Sequence, residues 1–272
     1  MSKHASESGH WYLKDGSQLG RIPKKSGEGL KNPTIRDARE RGACYGTTSI
    51  LNAAAAPNLI RWQKEEVYRV FRENPQQEGM CDEEYEQTMR DILSQERDKR
   101  ITNGTAMHAR LEAYDTPGTL DDDPVVSRVM DTLDTHFGSN LNWCAEHSFC
   151  HPLGYGGKID RFCPGIAIID YKTKEFEDDC VEAGGMLKKN KVRSFIFNTH
   201  GMQLSAYREG LWMKSVSRTT ILPRYNVFVS VKPGFEGLTA IYEHPENDDD
   251  WRKFRHLLAF VKLDRNYDSS WG

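Results

Sequence analysis

The 272-residue chain carries 37 Lys and Arg against 40 Asp and Glu, a formal net charge of −3, and 38% of its residues are hydrophobic. That length and apolar content suit one large folded unit or a core with an appended lobe, and they exclude disorder over the whole chain. The near-neutral balance means that any polyanionic partner must be held by a local basic patch, and no 18-residue apolar run exists to span a bilayer.

Met1–Gly9 shows neither an apolar leader core nor an Arg-rich amphipathic pattern, so a cytoplasmic location, in a bacterial or phage-infected cell, is expected. Residues 1–43 are polar and rich in Gly, Lys and Arg without sustained period, and read as a flexible arm. A helical lobe is expected over 44–100. Leu59, Trp62, Val67, Val70 and Phe71 recur at roughly helical spacing after Pro57, Trp62, Tyr68 and Phe71 being expected to pack in the core or between lobes or else to stack exposed bases, and a second helix runs from Asp82 to about Lys99. A third helix opens near Gly104 with His108, Leu111 and Glu112. A fourth follows the acidic Asp121-Asp122-Asp123-Pro124 start, burying Val125, Val126, Val129, Met130 and Leu133.

Beyond Asn140 the pattern turns to strands over 141–149, 154–162 and 165–173, broken at His151-Pro152 and Cys163-Pro164-Gly165, which predicts an antiparallel meander. Residues 174–199 form a connection too long for plain packing, expected to be functional or mobile. A helix from His200, a strand pair over 220–233 and 237–244, and an amphipathic helix over 246–265 complete the chain. The class is α/β, a mixed central sheet flanked by helices. Six scattered Cys without a Cys-x-x-Cys pair argue against a zinc ribbon or a disulfide framework.

Chemistry concentrates in Gly156–Thr173. Strand alternation puts Asp170 and Lys172 on one face and Ile169 and Tyr171 on the other, and the Cys163-Pro164-Gly165 turn brings Asp160 across from Asp170. Two carboxylates beside a lysine suit an oxygen-ligated divalent cation, which relieves their mutual repulsion. Such a cation activates water and stabilises a leaving oxygen, which is the equipment of phosphodiester hydrolysis.

Taken in order, Gly104-Thr105-x-x-His108, Gly157-x-x-Asp160-Arg161, Asp170-Tyr171-Lys172-Thr173 and Gln203-x-x-x-Tyr207 resemble the RecB-like branch of the PD-(D/E)XK nuclease superfamily over about residues 100–212. The run from Thr47 to Trp62 is similar to the N-terminal region of phage exonucleases and mitochondrial genome maintenance exonucleases. The resemblance implies a restriction-endonuclease-like core over 101–265 and a Mg²⁺- or Mn²⁺-dependent DNA exonuclease acting on single strands or DNA ends. A structure-selective endonuclease and a non-catalytic nucleic-acid-binding module are the alternatives. It implies His108, Asp160, Asp170 and the main chain of Tyr171 as metal ligands, with Glu146 helping to hold a second cation. Asp160, Asp170, Lys172, Gln203 and Tyr207 form the catalytic set. Thr173 is expected to contact DNA, and the basic run Lys188, Lys189, Lys191 and Arg193 either tracks its phosphates or is a solvated charge cluster. Relatives that carry an iron–sulfur cluster place a Cys triplet after the core; here no Cys follows Cys180, so a cluster-free member is expected. The companion implied is a single-strand-annealing or recombination protein, with no membrane.

Overall fold

The computed structural model describes residues 10–54, 57–114, 123–212 and 222–271. The leader reading of Met1–Gly9, the acidic residues Asp121 and Asp122, and the expected helix end at Met213 and Lys214 lie outside them.

A seven-stranded mixed sheet organises the chain. Its order is β1 (Trp11–Tyr12), β4 (Cys44–Gly46), β6 (Tyr155–Cys163), β7 (Ala167–Lys174), β8 (Arg224–Ser230) and β9 (Thr239–Glu243), with β5 (Cys144–His151) also paired to β6. β5, β6 and β7 form the expected antiparallel meander, with Arg161 opposite Ile169 and Cys163 opposite Ala167 across the Pro-Gly turn. β8 returns parallel to β7, setting Asp170 beside Asn226, and β9 pairs antiparallel with β8. A separate hairpin joins β2 (Ile22–Pro23) and β3 (Leu30–Lys31).

Helices cover both faces. On one, α2 (Thr47–Leu51), α7 (Asn198–Trp212) and α8 (Asp249–Asp264) close a core in which Ile50, Leu204, Tyr207, Phe254 and Leu258 meet Tyr155, Ile159 and Ile168. On the other, the end of α4 (Asp82–Tyr114) and α5 (Pro124–Phe137) pack Met107, Leu111, Val129 and Leu133 against Ile169, Tyr171, Val227 and Ile241. Asp123 caps α5 by accepting from the Val125 and Val126 amides, and Pro124 supplies its first turn. Every residue of α7 from His200 to Ala206 is buried, as is Tyr207. Small residues at Gly201 and Gly210 make that possible: a Cβ would lie 2.4 Å from Asp250 Oδ2 at the first and 2.2 Å from the Phe149 ring at the second.

Residues 10–43, expected within a loosely ordered arm, are structured. The Trp11 ring packs 5.0 Å from Tyr45 and 6.4 Å from Tyr267, and the Gly46 amide donates to the His10 carbonyl at 2.7 Å. Thr34 and Asp37 form a capping box on α1 (Ile35–Arg41), reinforced by Lys31, whose ammonium lies 2.6 Å from the Asp37 carboxylate. A two-residue strand carries no period, and its partner is more than thirty residues away, so the local pattern is silent. The expected helical lobe over 44–100 likewise begins inside the sheet, because β4 and α2 belong to the core; α3 (Pro57–Glu73) and the first part of α4 form the projecting limb. On α3, Val70 is buried and Tyr68 is exposed, whereas Trp62, Val67 and Phe71 are only partly exposed, Phe71 edge-on against Tyr85 and Trp62 under Arg100.

The second and third predicted helices are one. Gly104 does not break α4; a Cβ there would stand 3.1 Å from Thr173 Oγ1, so the glycine brings the helix close to β7 at the usual cost of about 1 kcal/mol for glycine in a helix. Residues 175–196 are also packed. Three 3₁₀ turns and the short α6 (Val192–Phe195) lay Phe176, Cys180, Leu187 and Phe195 onto Phe228 and Ala240.

Candidate active site

Four elements converge at the middle of the sheet. β6 supplies Asp160, β7 supplies Asp170 and Lys172, α4 brings His108 to one side, and α7 brings Gln203 and Tyr207 to the other. Gly157 lets α7 approach: a Cβ there would be 2.7 Å from Tyr207 Cε1 and 3.0 Å from the Phe149 ring.

Asp170 is 2% exposed, and both its oxygens are engaged. Oδ1 accepts from Gln203 Nε2 at 2.8 Å. Oδ2 lies 2.7 Å from Lys172 Nζ and accepts from Asn226 Nδ2 at 2.7 Å. Lys172 also donates to Gln203 Oε1 at 3.3 Å, and the Gln203 amide reaches Tyr207 Oη at 2.9 Å. The one-turn spacing of Gln203 and Tyr207 on a buried helix makes this arrangement rigid. Burial and the neighbouring carboxylates, Asp170 before Asp160, push the Tyr207 phenol well above its ordinary range, so it stays protonated.

Asp160 is held differently. Its Oδ2 accepts from the Tyr171 amide at 2.7 Å and stands 3.7 Å from His108 Nδ1. Burial first, and then the charge of Asp170, pushes the Asp160 carboxyl up to about 6, against smaller opposing pulls from His108 and Lys172. The His108 ring meets Tyr171 edge-on at 6.3 Å.

Glu146 lies on β5 between the pairs Ala145–Arg161 and His147–Ile159, opposite Asp160. Its φ of +54° is unusual for a residue with a side chain, and its carboxylate is ion-paired to Lys158. Thr173 follows Lys172 at the close approach of α4. The basic run stands apart from this cluster, on the segment that follows β7. Lys188 Nζ donates to the Asp179 carbonyl at 2.9 Å and Lys191 forms a 2.6 Å ion pair with the Asp179 carboxylate, whereas Lys189 and Arg193 are exposed. Lys174, Lys191 and Lys232 line a cleft of about 430 Å³ with Glu177 and Asp179, in which the opposite charges are interspersed.

Sequence reasoning passed over Asn226 and His244. His244 Nε2 lies 2.7 Å from Asn226 Oδ1, and burial, then Arg224, lowers the imidazole to about 3, which keeps it neutral. The signal available was one amide inside the otherwise apolar stretch of β8, since a buried amide requires partners. Tyr12 was also missed; burial and then the Asp160 charge raise it to about 12.

Among the described residues, no three or more His, Cys, Asp or Glu side chains close into a group able to hold a metal ion. Asp170 is engaged by neutral amides and an ammonium instead, and Asp160 by a main-chain amide. Among the described residues, no helix is long and apolar enough to cross a membrane. No known family model matches the sequence, and no curated protein does.

Proposed function

We propose that the protein is a metal-dependent deoxyribonuclease, an exonuclease with a RecB-like PD-(D/E)XK core, and that His108, Asp160, Asp170 and Lys172 carry its chemistry. The observation behind this reading is the convergence of two carboxylates and a lysine from adjacent strands with an imidazole from one helix and an amide–phenol pair from another.

Two carboxylates, an imidazole and a main-chain carbonyl are the donor types a hard cation takes, although among the described residues the side chains as placed do not close into a metal-binding group. Burial first, and then the charge of Asp170, raises the Asp160 carboxyl to about 6, a penalty that a bound cation would relieve. The Asp160 and Asp170 carboxylates, the His108 imidazole and the main chain of Tyr171 would hold Mg²⁺ or Mn²⁺, and Glu146 would join only after leaving Lys158. When bound, the cation supplies a more acidic water and charge stabilisation at the leaving oxygen.

The side chains do the rest. Lys172, half-buried and tethered between Asp170 and Gln203, sets a positive charge where the phosphoryl group gains negative charge. Gln203 and Tyr207 fix the position of Lys172 and Asp170 from a helix that cannot shift without disturbing the core. In hydrolysis the attacking water gives up one proton as its oxygen bonds to phosphorus, the bond to the sugar oxygen breaks, and that oxygen takes up a proton, leaving a phosphomonoester and a sugar hydroxyl. Exposed Lys189 and Arg193 add a second positive surface for backbone phosphates.

The test uses end-labelled linear single- and double-stranded DNA and closed circular single strands with Mn²⁺, Mg²⁺ or EDTA. Degradation of linear DNA with either ion, none in EDTA, none by Asp170→Ala, and intact circles are expected. Cleavage in EDTA or by the Asp170→Ala protein removes the proposal, and cut circles make the enzyme an endonuclease.

A further inference from the structure

Behind Asp170 a polar line crosses the sheet from β9 to β7. Asn226 is wholly buried at the register position beside Asp170, and His244, two residues past the Tyr242 that pairs with Asn226, is 7% exposed. Asn226 Nδ2 donates to Asp170 Oδ2 at 2.7 Å and to the Asp170 carbonyl at 3.3 Å, while Asn226 Oδ1 faces His244 Nε2 at 2.7 Å.

An amide has a donor end and an acceptor end of nearly the same shape, so its orientation must be set by its neighbours. Turned over, Asn226 would point an oxygen at a carboxylate. A neutral imidazole with hydrogen on Nε2 donates to Oδ1 and selects the productive orientation, and the His244 amide, donating to the Arg224 carbonyl at 2.8 Å, anchors that residue. Lys172 also engages Asp170, but from a flexible, partly exposed stem that must turn towards phosphate during turnover. Asn226 has no such freedom.

We infer that Asn226, with its amide oriented by His244, is a positioning residue that holds the Asp170 carboxylate in its ion-binding rotamer independently of Lys172. The inference rests on the nuclease reading for its consequence, though not for its geometry. Groups that orient a ligating carboxylate set both the affinity of the site and the alignment of its chemistry.

The experiment compares Asn226→Ala, His244→Leu and His244→Gln with wild type in three readouts: Mn²⁺ affinity by calorimetry, kcat and KM on single-stranded DNA, and the Asp170 rotamer in ion-free crystals. Asn226→Ala and His244→Leu are expected to weaken Mn²⁺ binding and lower kcat by about 10- to 100-fold, with KM for DNA within about twofold. His244→Gln, which keeps a donor to Oδ1, is expected to recover wild-type behaviour to within about threefold. Wild-type Mn²⁺ affinity and kcat in Asn226→Ala, or an unmoved Asp170 in its crystals, overturns the inference. Should Asn226→Ala not fold, the histidine pair decides: His244→Leu equal to wild type, or His244→Gln equal to His244→Leu, overturns it. A wild-type protein that neither binds Mn²⁺ nor cuts DNA defeats the nuclease reading, and the Asp170 rotamer still decides the positioning claim.

Discussion

Charge is handled in opposite ways in the limb and at the sheet. In the limb, Arg69 reaches Glu66, Glu73 and Glu96, and Arg100 reaches Glu66 and Glu96, across side chains that all remain partly in water. At the sheet, Asp170 is enclosed by Lys172, Gln203 and Asn226, and Asp160 is left with one amide and a distant imidazole. The single helix α4 runs through both regimes, ending with Met107 and Leu111 in the core and His108 at the cluster. Exposed pairs are worth little and are dispensable. A buried carboxylate beside a partly buried one costs stability, and such pairs cluster at functional sites.

The sharpest way to break this contrast is Lys172→Ala. We expect cleavage to fall by about 10²- to 10³-fold, the loss typical of one preorganised charge-stabilising donor, with DNA affinity nearly unchanged in a binding assay. Loss of binding instead would make Lys172 an anchor for the backbone.

Asp160 tests whether the site trades stability for function. Burial and then the Asp170 charge raise its carboxyl from the ordinary 3.8 to about 6, so the folded state binds the proton more tightly and the ion-free protein loses stability as pH rises between those values. Asp160→Asn should stabilise the ion-free protein at pH 7 and change it by almost nothing at pH 3, while abolishing cleavage. Equal denaturation midpoints at both pH values would contradict this. A smaller effect is expected at Gly157→Ala, where the new methyl meets the Tyr207 and Phe149 rings; overpacking of this kind costs about 1 to 3 kcal/mol and should move Tyr207 off Gln203. Least of all, Arg69→Ala should cost under about 1 kcal/mol in urea unfolding and leave DNA cleavage intact. A large loss there would erase the distinction between limb and sheet.

Much of the sheet half was legible. Alternation and the Pro-Gly turn predict the β5–β6–β7 meander, and they place Asp160 beside Asp170 and Lys172 beside Asp170 as observed. Helical spacing places Gln203 and Tyr207 on one face, and they are hydrogen-bonded. What escaped was non-local. Trp11 and Tyr12 join the sheet through partners far along the chain, and Gly104 reads as a helix break until Thr173 is seen against it. Asn226 stands out in the sequence as one amide in an apolar strand, but its partners Asp170 and His244 emerge only when β8 is laid parallel to β7, a pairing that requires a crossover connection no local pattern encodes. The basic run showed its charge in the sequence but not that Asp179 occupies part of it.

The most direct test is anomalous diffraction from crystals grown with Mn²⁺ and a short oligonucleotide carrying a non-hydrolysable linkage. The account predicts a manganese peak within bonding distance, about 2 to 2.3 Å, of Asp160 and Asp170 on the side facing His108. A map without manganese at those carboxylates, in crystals where the oligonucleotide is bound, would contradict it.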